Sequence, residues 1–202
     1  MRLMTTALLF LLQAPTLPPA YPRPGATKML ENDRVVVWNI AWLKQQYPLH
    51  RHIYDLAGVY YEAGDRMIIS TDDTKRPVKT AAGDTAFQRS GVTHIEEGTS
   101  DAPLRAVFFE FKEPAPTGRV DTSAPPPASF PQAGEKQFLD NDRVTAWEQA
   151  AGAAPSGSHR HARDAVVIWV EGRTPHAAFT RQGTVHSDEG VGQARAWIYE
   201  LK

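Results

Sequence analysis

The chain has 202 residues, 42% of them hydrophobic, with Lys+Arg 22 against Asp+Glu 23 and a net charge of -1. That length suits one or two small domains with enough apolar content to build a core. No basic excess is present to meet phosphates, so nucleic acid is not an expected partner, and the lack of cysteine excludes disulfide staples and thiolate ligands.

The chain opens with Arg2 and an almost wholly apolar run over residues 3–12, closed by Gln13-Ala14-Pro15. This is the layout of a secretory signal peptide, cut near Ala14 or Ala20, and the run is too short to span a bilayer as a helix. Export to the periplasm or the medium is therefore expected, with no membrane span after processing. Residues 15–25, rich in proline, read as an extended tether.

From residue 30 onward the sequence repeats itself. Leu30-Glu31-Asn32-Asp33-Arg34-Val35-Val36-Val37-Trp38 returns 109 residues later as Leu139-Asp140-Asn141-Asp142-Arg143-Val144-Thr145-Ala146-Trp147, with six of nine positions identical. His50-Arg51-His52 returns as His159-Arg160-His161 at the same offset. Gly91-Val92-Thr93-His94 returns as Gly183-Thr184-Val185-His186 at an offset of 92, and the block beginning at Arg105 returns at Arg195, offset 90. Four blocks in one order define two copies of a module. The falling offset means that copy 2 lacks material present in copy 1, most of it within residues 68–82. Between the copies, residues 114–134 are proline-rich and read as a stiff linker. The expected division is signal peptide and tether 1–26, domain 1 27–113, linker 114–134 and domain 2 135–202.

Within each copy the segments are short, β-branched or aromatic, and bounded by turn residues, as in Gly58-Val59-Tyr60-Tyr61 and Val166-Val167-Ile168-Trp169-Val170. They predict an all-β sandwich or barrel in each copy, with the two packed together because each is small for its own core. Trp38, Trp147, Trp169, Trp197 and Tyr60 are expected in that core. Asn32-Asp33-Arg34 and Asn141-Asp142-Arg143 are expected to form turns with a local ion pair.

Six of the seven histidines fall into two matching triplets, His50, His52 and His94, and His159, His161 and His186. A His-x-His pair on a strand projects both rings to one face, with Arg51 or Arg160 pointing away. Three imidazoles suit a divalent transition metal such as Fe, Zn, Mn, Ni or Cu and leave positions for water or substrate. The seventh, His176, reads as an ordinary loop residue. Three neutral ligands leave the ion's charge uncompensated, which favours an anionic small-molecule ligand.

These residues resemble the cupins, and their duplication is similar to that of the bicupins. His50, His52 and Gly64 fit the family's first motif, and Gly83-Asp84, Gly91 and His94, with Ser90 before the glycine, fit the second. In copy 2, His159, His161 and Gly172 fit the first motif, and Gly183 and His186 keep the heart of the second, whose opening Gly-Asp is replaced near Thr174-Pro175. The resemblance implies two double-stranded β-helix (jelly-roll) barrels in tandem, each with a metal inside its mouth, iron being the metal of the three-histidine dioxygenases among them. Counting back from Gly64 and Gly172 puts the family's glutamate ligand at Ala57 and Ala165, so that carboxylate is missing. Asp55 and Asp164 are the nearby acids; each could reach the metal through a bulge or pair with Arg51 or Arg160 outside it. The lost Gly-Asp and the shorter copy 2 suggest that copy 1 is the active one. A dioxygenase-type enzyme on a small anionic molecule leads, with a non-catalytic ligand- or metal-binding module as the alternative. The barrel faces are candidates for a homodimer contact.

Overall fold

The computed structural model describes residues 16–112, 128–131, 134–153, 157–188 and 190–202; the signal-peptide segment and most of the expected linker lie outside them. The described chain is all-β. Among the described residues no helix is long and apolar enough to cross a membrane.

Copy 1 runs β1 (Ala26–Glu31), β2 (Val35–Trp42), β3 (His50–Arg51), β4 (Leu56–Glu62), β5 (Gly64–Ile69), β6 (Lys75–Thr80), β7 (Thr85–Gln88), β8 (Thr93–Gly98) and β9 (Leu104–Phe111). They form a five-stranded sheet, β1-β2-β9-β4-β7, and a four-stranded sheet, β3-β8-β5-β6. Copy 2 runs β10 (Ala128–Ser129), β11 (Lys136–Asp140), β12 (Val144–Gln149), β13 (His159–Arg160), β14 (Ala165–Glu171), β15 (Thr174–Thr180), β16 (Val185–His186) and β17 (Ala196–Leu201). Its sheets are β11-β12-β17-β14-β15 and β10-β13-β16. The material missing from copy 2 is the β5–β6 hairpin, which accounts for the offset change.

Strand alternation builds three cores from two barrels. In β2, Val36, Trp38, Ile40 and Trp42 point into barrel 1 and pack on Tyr60, Leu104 and Phe108. Val35 and Val37 point the other way and join Ala57, Val59, Phe109 and Phe111 in a shared core with Val144, Ala146, Val166, Ile168, Trp197, Tyr199 and Leu201 of copy 2. Phe109 and Tyr199, both fully buried, meet edge-to-face across that interface at 5.1 Å. Phe130, Trp147, Val167 and Ile198 fill barrel 2. Trp197 therefore belongs to the junction between barrels, and Trp169 is half-buried against His176 rather than enclosed.

The ordered modules start earlier than residues 27 and 135. Arg51 N–H donates to the Pro18 carbonyl (2.9 Å), and Ala20 and Tyr21 are buried inside barrel 1. β10 pairs in parallel with β13 just as Pro19 bridges to Arg51, and Phe130 is buried where the offset of 109 places Tyr21's counterpart. The end of the expected tether, by a single bridge, and the end of the expected linker, by β10, thus pair in repeat-equivalent positions, unrecognised because Pro18-Pro19-Ala20-Tyr21-Pro22 and Pro127-Ala128-Ser129-Phe130-Pro131 read as proline punctuation.

The Asn-Asp-Arg turns form as expected, with Asn32 Oδ1 accepting from Arg34 and Val35 N–H (2.7 and 2.9 Å) and Asn141 Oδ1 from Arg143 and Val144 N–H (2.8 and 3.0 Å). Their ion pairs are not local. Arg34 donates to Asp164 of the other barrel (2.9 Å), and Arg143 Nε lies 3.0 Å from Asp55, close enough for charge attraction though not aligned as a hydrogen bond. Arg181 joins Asp164 and Asp33, and Arg89 joins Asp55 and Asp142. Two matching networks thus rim the shared core. Asp55 and Asp164 lie in them, so neither serves the metal nor pairs with Arg51 or Arg160; each also accepts a backbone N–H, from Ser90 and Gln182.

The Arg34–Asp164 pair is largely buried, with side chains 10% and 14% exposed. Removing one partner of such a pair strands the other, so Asp164→Ala is expected to cost about 3 kcal/mol in urea unfolding. Asp142→Ala, at an exposed carboxylate, should cost less than about 1 kcal/mol. Equal costs would contradict the dependence on burial.

Candidate metal centres

The first histidine of each pair lies on a two-residue strand, β3 or β13, and the second directly follows it; both rings are buried and the intervening arginine is exposed in copy 1. The third histidine arrives directly opposite the first, His94 against His50 and His186 against His159. A tight turn makes this register possible. Gly91 (φ 86) and Gly183 (φ 73) take the left-handed conformation that side chains disfavour, and their N–H groups donate to the His52 and His161 carbonyls (2.7 and 3.0 Å).

The ligand nitrogens of each triad lie within 4.8 Å of one another, all buried except half-buried His186. Two donors on one ion with bonds near 2.1 Å stand about 3.0–3.4 Å apart. His52 Nε2 and His94 Nε2, at 3.2 Å, meet that spacing. In copy 2 every ring is fixed through Nδ1, to the Gly157 carbonyl (2.9 Å), Glu200 (3.1 Å) and the Thr184 carbonyl (3.3 Å), leaving three buried Nε2 atoms without a protein hydrogen bond. His50 is held the same way by the Pro48 carbonyl (3.0 Å), with Nε2 again orphaned. Rings anchored at one nitrogen and bare at the other are what a metal requires. Burial holds the rings in the neutral, ligating form, lowering His50 and His186, taking His94 down to about 4 and, with the neighbouring His94 and His50, His52 to about 3. The residues present therefore fit a divalent ion in both barrels. His176 belongs to neither triad; it lies on β15, stacked on Trp169.

Four carboxylates that sequence reading passed over lie inside the barrels. Leu56 and Ala57 alternate, so the inward position is Leu56, while Ala57 faces the shared core. In copy 2 the inward position is Ala165, two residues before the inward Val167. Opposite them, on the neighbouring strand, stand Glu110 and Glu200. Glu200 grips His161; Glu110 accepts from Trp38 Nε1 (2.8 Å), and burial raises its pKa. The other two, Glu96 and Asp188, follow the third histidine by two residues. Glu96 is enclosed by Arg23 (2.7 Å), Trp42 (3.0 Å) and Arg66 (3.4 Å). Burial opposes its charge, but Arg23 and Arg66 bring it down to about 2. The signal existed: Glu110 and Glu200 share a repeated block, and spacing of two keeps a strand residue on its neighbour's face.

No family model matches the chain, and no curated protein is detectably similar in sequence. Among solved structures, AerE from Microcystis aeruginosa is similar over 93% of this chain and 98% of its own, with 10% identity and a TM-score of 0.59. A cupin 2 conserved barrel domain protein from Leptotrichia buccalis matches over 88% of each chain, at 12% identity and a TM-score of 0.48. A cupin domain from Bordetella pertussis Tohama I aligns over 46% of this chain and 100% of its own, with 25% identity and a TM-score of 0.41. The two barrels and paired histidine triads give this chain the fold of a tandem cupin.

Two equivalents of Co2+ should bind per chain of metal-free protein, about one to His94→Ala and none to His94→Ala/His159→Ala/His161→Ala, read by calorimetric titration. Full uptake by the triple variant would place the metal elsewhere.

Proposed function

We propose that the chain is an exported, metal-dependent tandem cupin whose first barrel works as a dioxygenase-type enzyme on a small anionic organic molecule. The observation that carries this reading is the charge inside barrel 1. Three neutral imidazoles face the ion, and the one carboxylate beside them, Glu96, is already matched by two arginines, Arg23 and Arg66. A divalent ion bound there keeps its full charge, which an anionic ligand relieves. Iron at such a centre would supply oxygen activation.

The chain's own residues suit the rest of the task. A cavity of about 550 Å³ opens beside Tyr21 onto the inner faces of β2 and β9, lined by Trp38, Ile53, Tyr54 and Glu110. That volume is in the range of small-molecule sites. Tyr21 lines this cavity, and its ring lies 6.5 Å from that of His52. Glu110, in the wall of this cavity, keeps a proton to higher pH than a solvated glutamate because it is buried. The alternative, a module that holds its ligand without turnover, is favoured by the full pairing of Glu96, which leaves Glu110 as the candidate proton carrier among the described carboxylates inside barrel 1.

For export, a cut near Ala14 leaves the Pro18–Arg51 contact intact, whereas a cut at Ala20 removes it; the former is the processing we expect. Oxygen uptake by the Fe(II)-loaded mature protein, screened against small carboxylates and enols, tests the reading. His94→Ala should lower the rate at least about 100-fold, the upper end of what losing an outer-shell partner costs. His186→Ala should leave it within about threefold if copy 2 does not turn over substrate. Saturable binding of such anions without any uptake would establish the non-catalytic module. An intact N-terminus on mature protein would contradict export.

A further inference from the structure

The two centres differ in one repeated position. Glu96 and Asp188 both follow the third histidine by two residues, but every group that holds Glu96 aside in copy 1 is gone from copy 2. At an offset of 109, Arg23 corresponds to Gln132 and Trp42 to Ala151, while Arg66 lies on β5, in the hairpin that copy 2 lacks. Gln132 lies outside the described residues, but as an amide it carries no charge to pair with a carboxylate. Asp188 is also one methylene shorter. Its oxygens lie 3.5 Å from His159 Nε2 and 3.5 Å from His186 Nε2, the same buried atoms that lack a hydrogen-bond partner. Asp188 is only 8% exposed, and among the described residues it pairs with no lysine or arginine. A buried carboxylate without a cation is costly, and a metal ion is the cation that this geometry admits.

The geometry points to Asp188 as a fourth metal ligand in copy 2, in place of the carboxylate missing from the first motif. Resting on the reading that the triads bind metal, this divides the barrels by charge. Copy 2 is a closed three-histidine, one-aspartate centre, with Glu200 fixing His161 from behind. Copy 1 is an open three-histidine centre that takes an exogenous anion. Copy 2 then fills first and holds its ion more tightly, while copy 1 exchanges its outer ligands.

Full-length His94→Ala and His159→Ala/His161→Ala isolate centre 2 and centre 1, and Co2+ with azide as the anion probe reads each by visible absorption. If neither variant takes up Co2+, the metal reading itself fails. If both do, Asp188→Asn in the His94→Ala background should weaken Co2+ binding about 10–100-fold or more. Azide should then shift the spectrum of the Co2+-loaded His159→Ala/His161→Ala protein and leave that of His94→Ala unchanged. The azide comparison keeps the proposal testable even if Asp188→Asn fails to fold. Co2+ affinity within about twofold in a folded Asp188→Asn protein, or equal azide shifts at both centres, overturns it.

Discussion

The outer faces of the two five-stranded sheets are as apolar as their inner faces, and they can be satisfied only against each other. Val35, Val37, Phe109 and Phe111 on one side and Val144, Ile168, Tyr199 and Leu201 on the other are at most 5% exposed and belong to one core that spans the junction. Burying side chains of this kind is worth about 1.5–3 kcal/mol each, so the shared core outweighs any single ionic contact at its rim. Barrel 2 in particular has a small interior of its own, built on Phe130, Trp147, Val167, Val191, Ala196 and Ile198. The junction makes the chain one folding unit, and the crossed arginine–aspartate networks fix the register in which the barrels meet.

That junction also explains where the carboxylates went. Asp55 and Asp164 stand three residues after the second histidine, where odd spacing turns them outward to the neighbouring barrel's arginines. The interior acids come from β9 and β17 and from the residue two beyond the third histidine. Once there, their partners decide their roles. Two arginines and an indole neutralise Glu96, and the loss of those groups leaves Asp188 facing bare imidazole nitrogens. A duplicated module has thereby acquired two electrostatically different centres on one framework.

Much of this was legible in the sequence, for physical reasons. The repeat, the all-β tandem barrels and both triads followed from periodicity and from histidine spacing, which local geometry enforces. What escaped depended on long-range partners. Tyr21 and Phe130 sat in proline-rich runs that lack strand periodicity yet pair with β3, through one bridge at Pro19, and with β13, through β10. Asp33 and Asp142 carry no sign in their neighbourhood that Arg181 and Arg89 are their partners. Counting along a motif placed the absent glutamate at Ala57, one residue from Leu56, which the strand's alternation turns inward. His176, read as a loop residue, is a strand residue stacked on Trp169.

Coupling through the shared core is tested most directly by scanning calorimetry of the full-length, metal-free chain. A single transition whose calorimetric and van't Hoff enthalpies agree, a ratio of about 1, is the expected result for one cooperative unit. Two separable transitions, or a calorimetric enthalpy about twice the van't Hoff value, would show barrels that unfold independently and would contradict it.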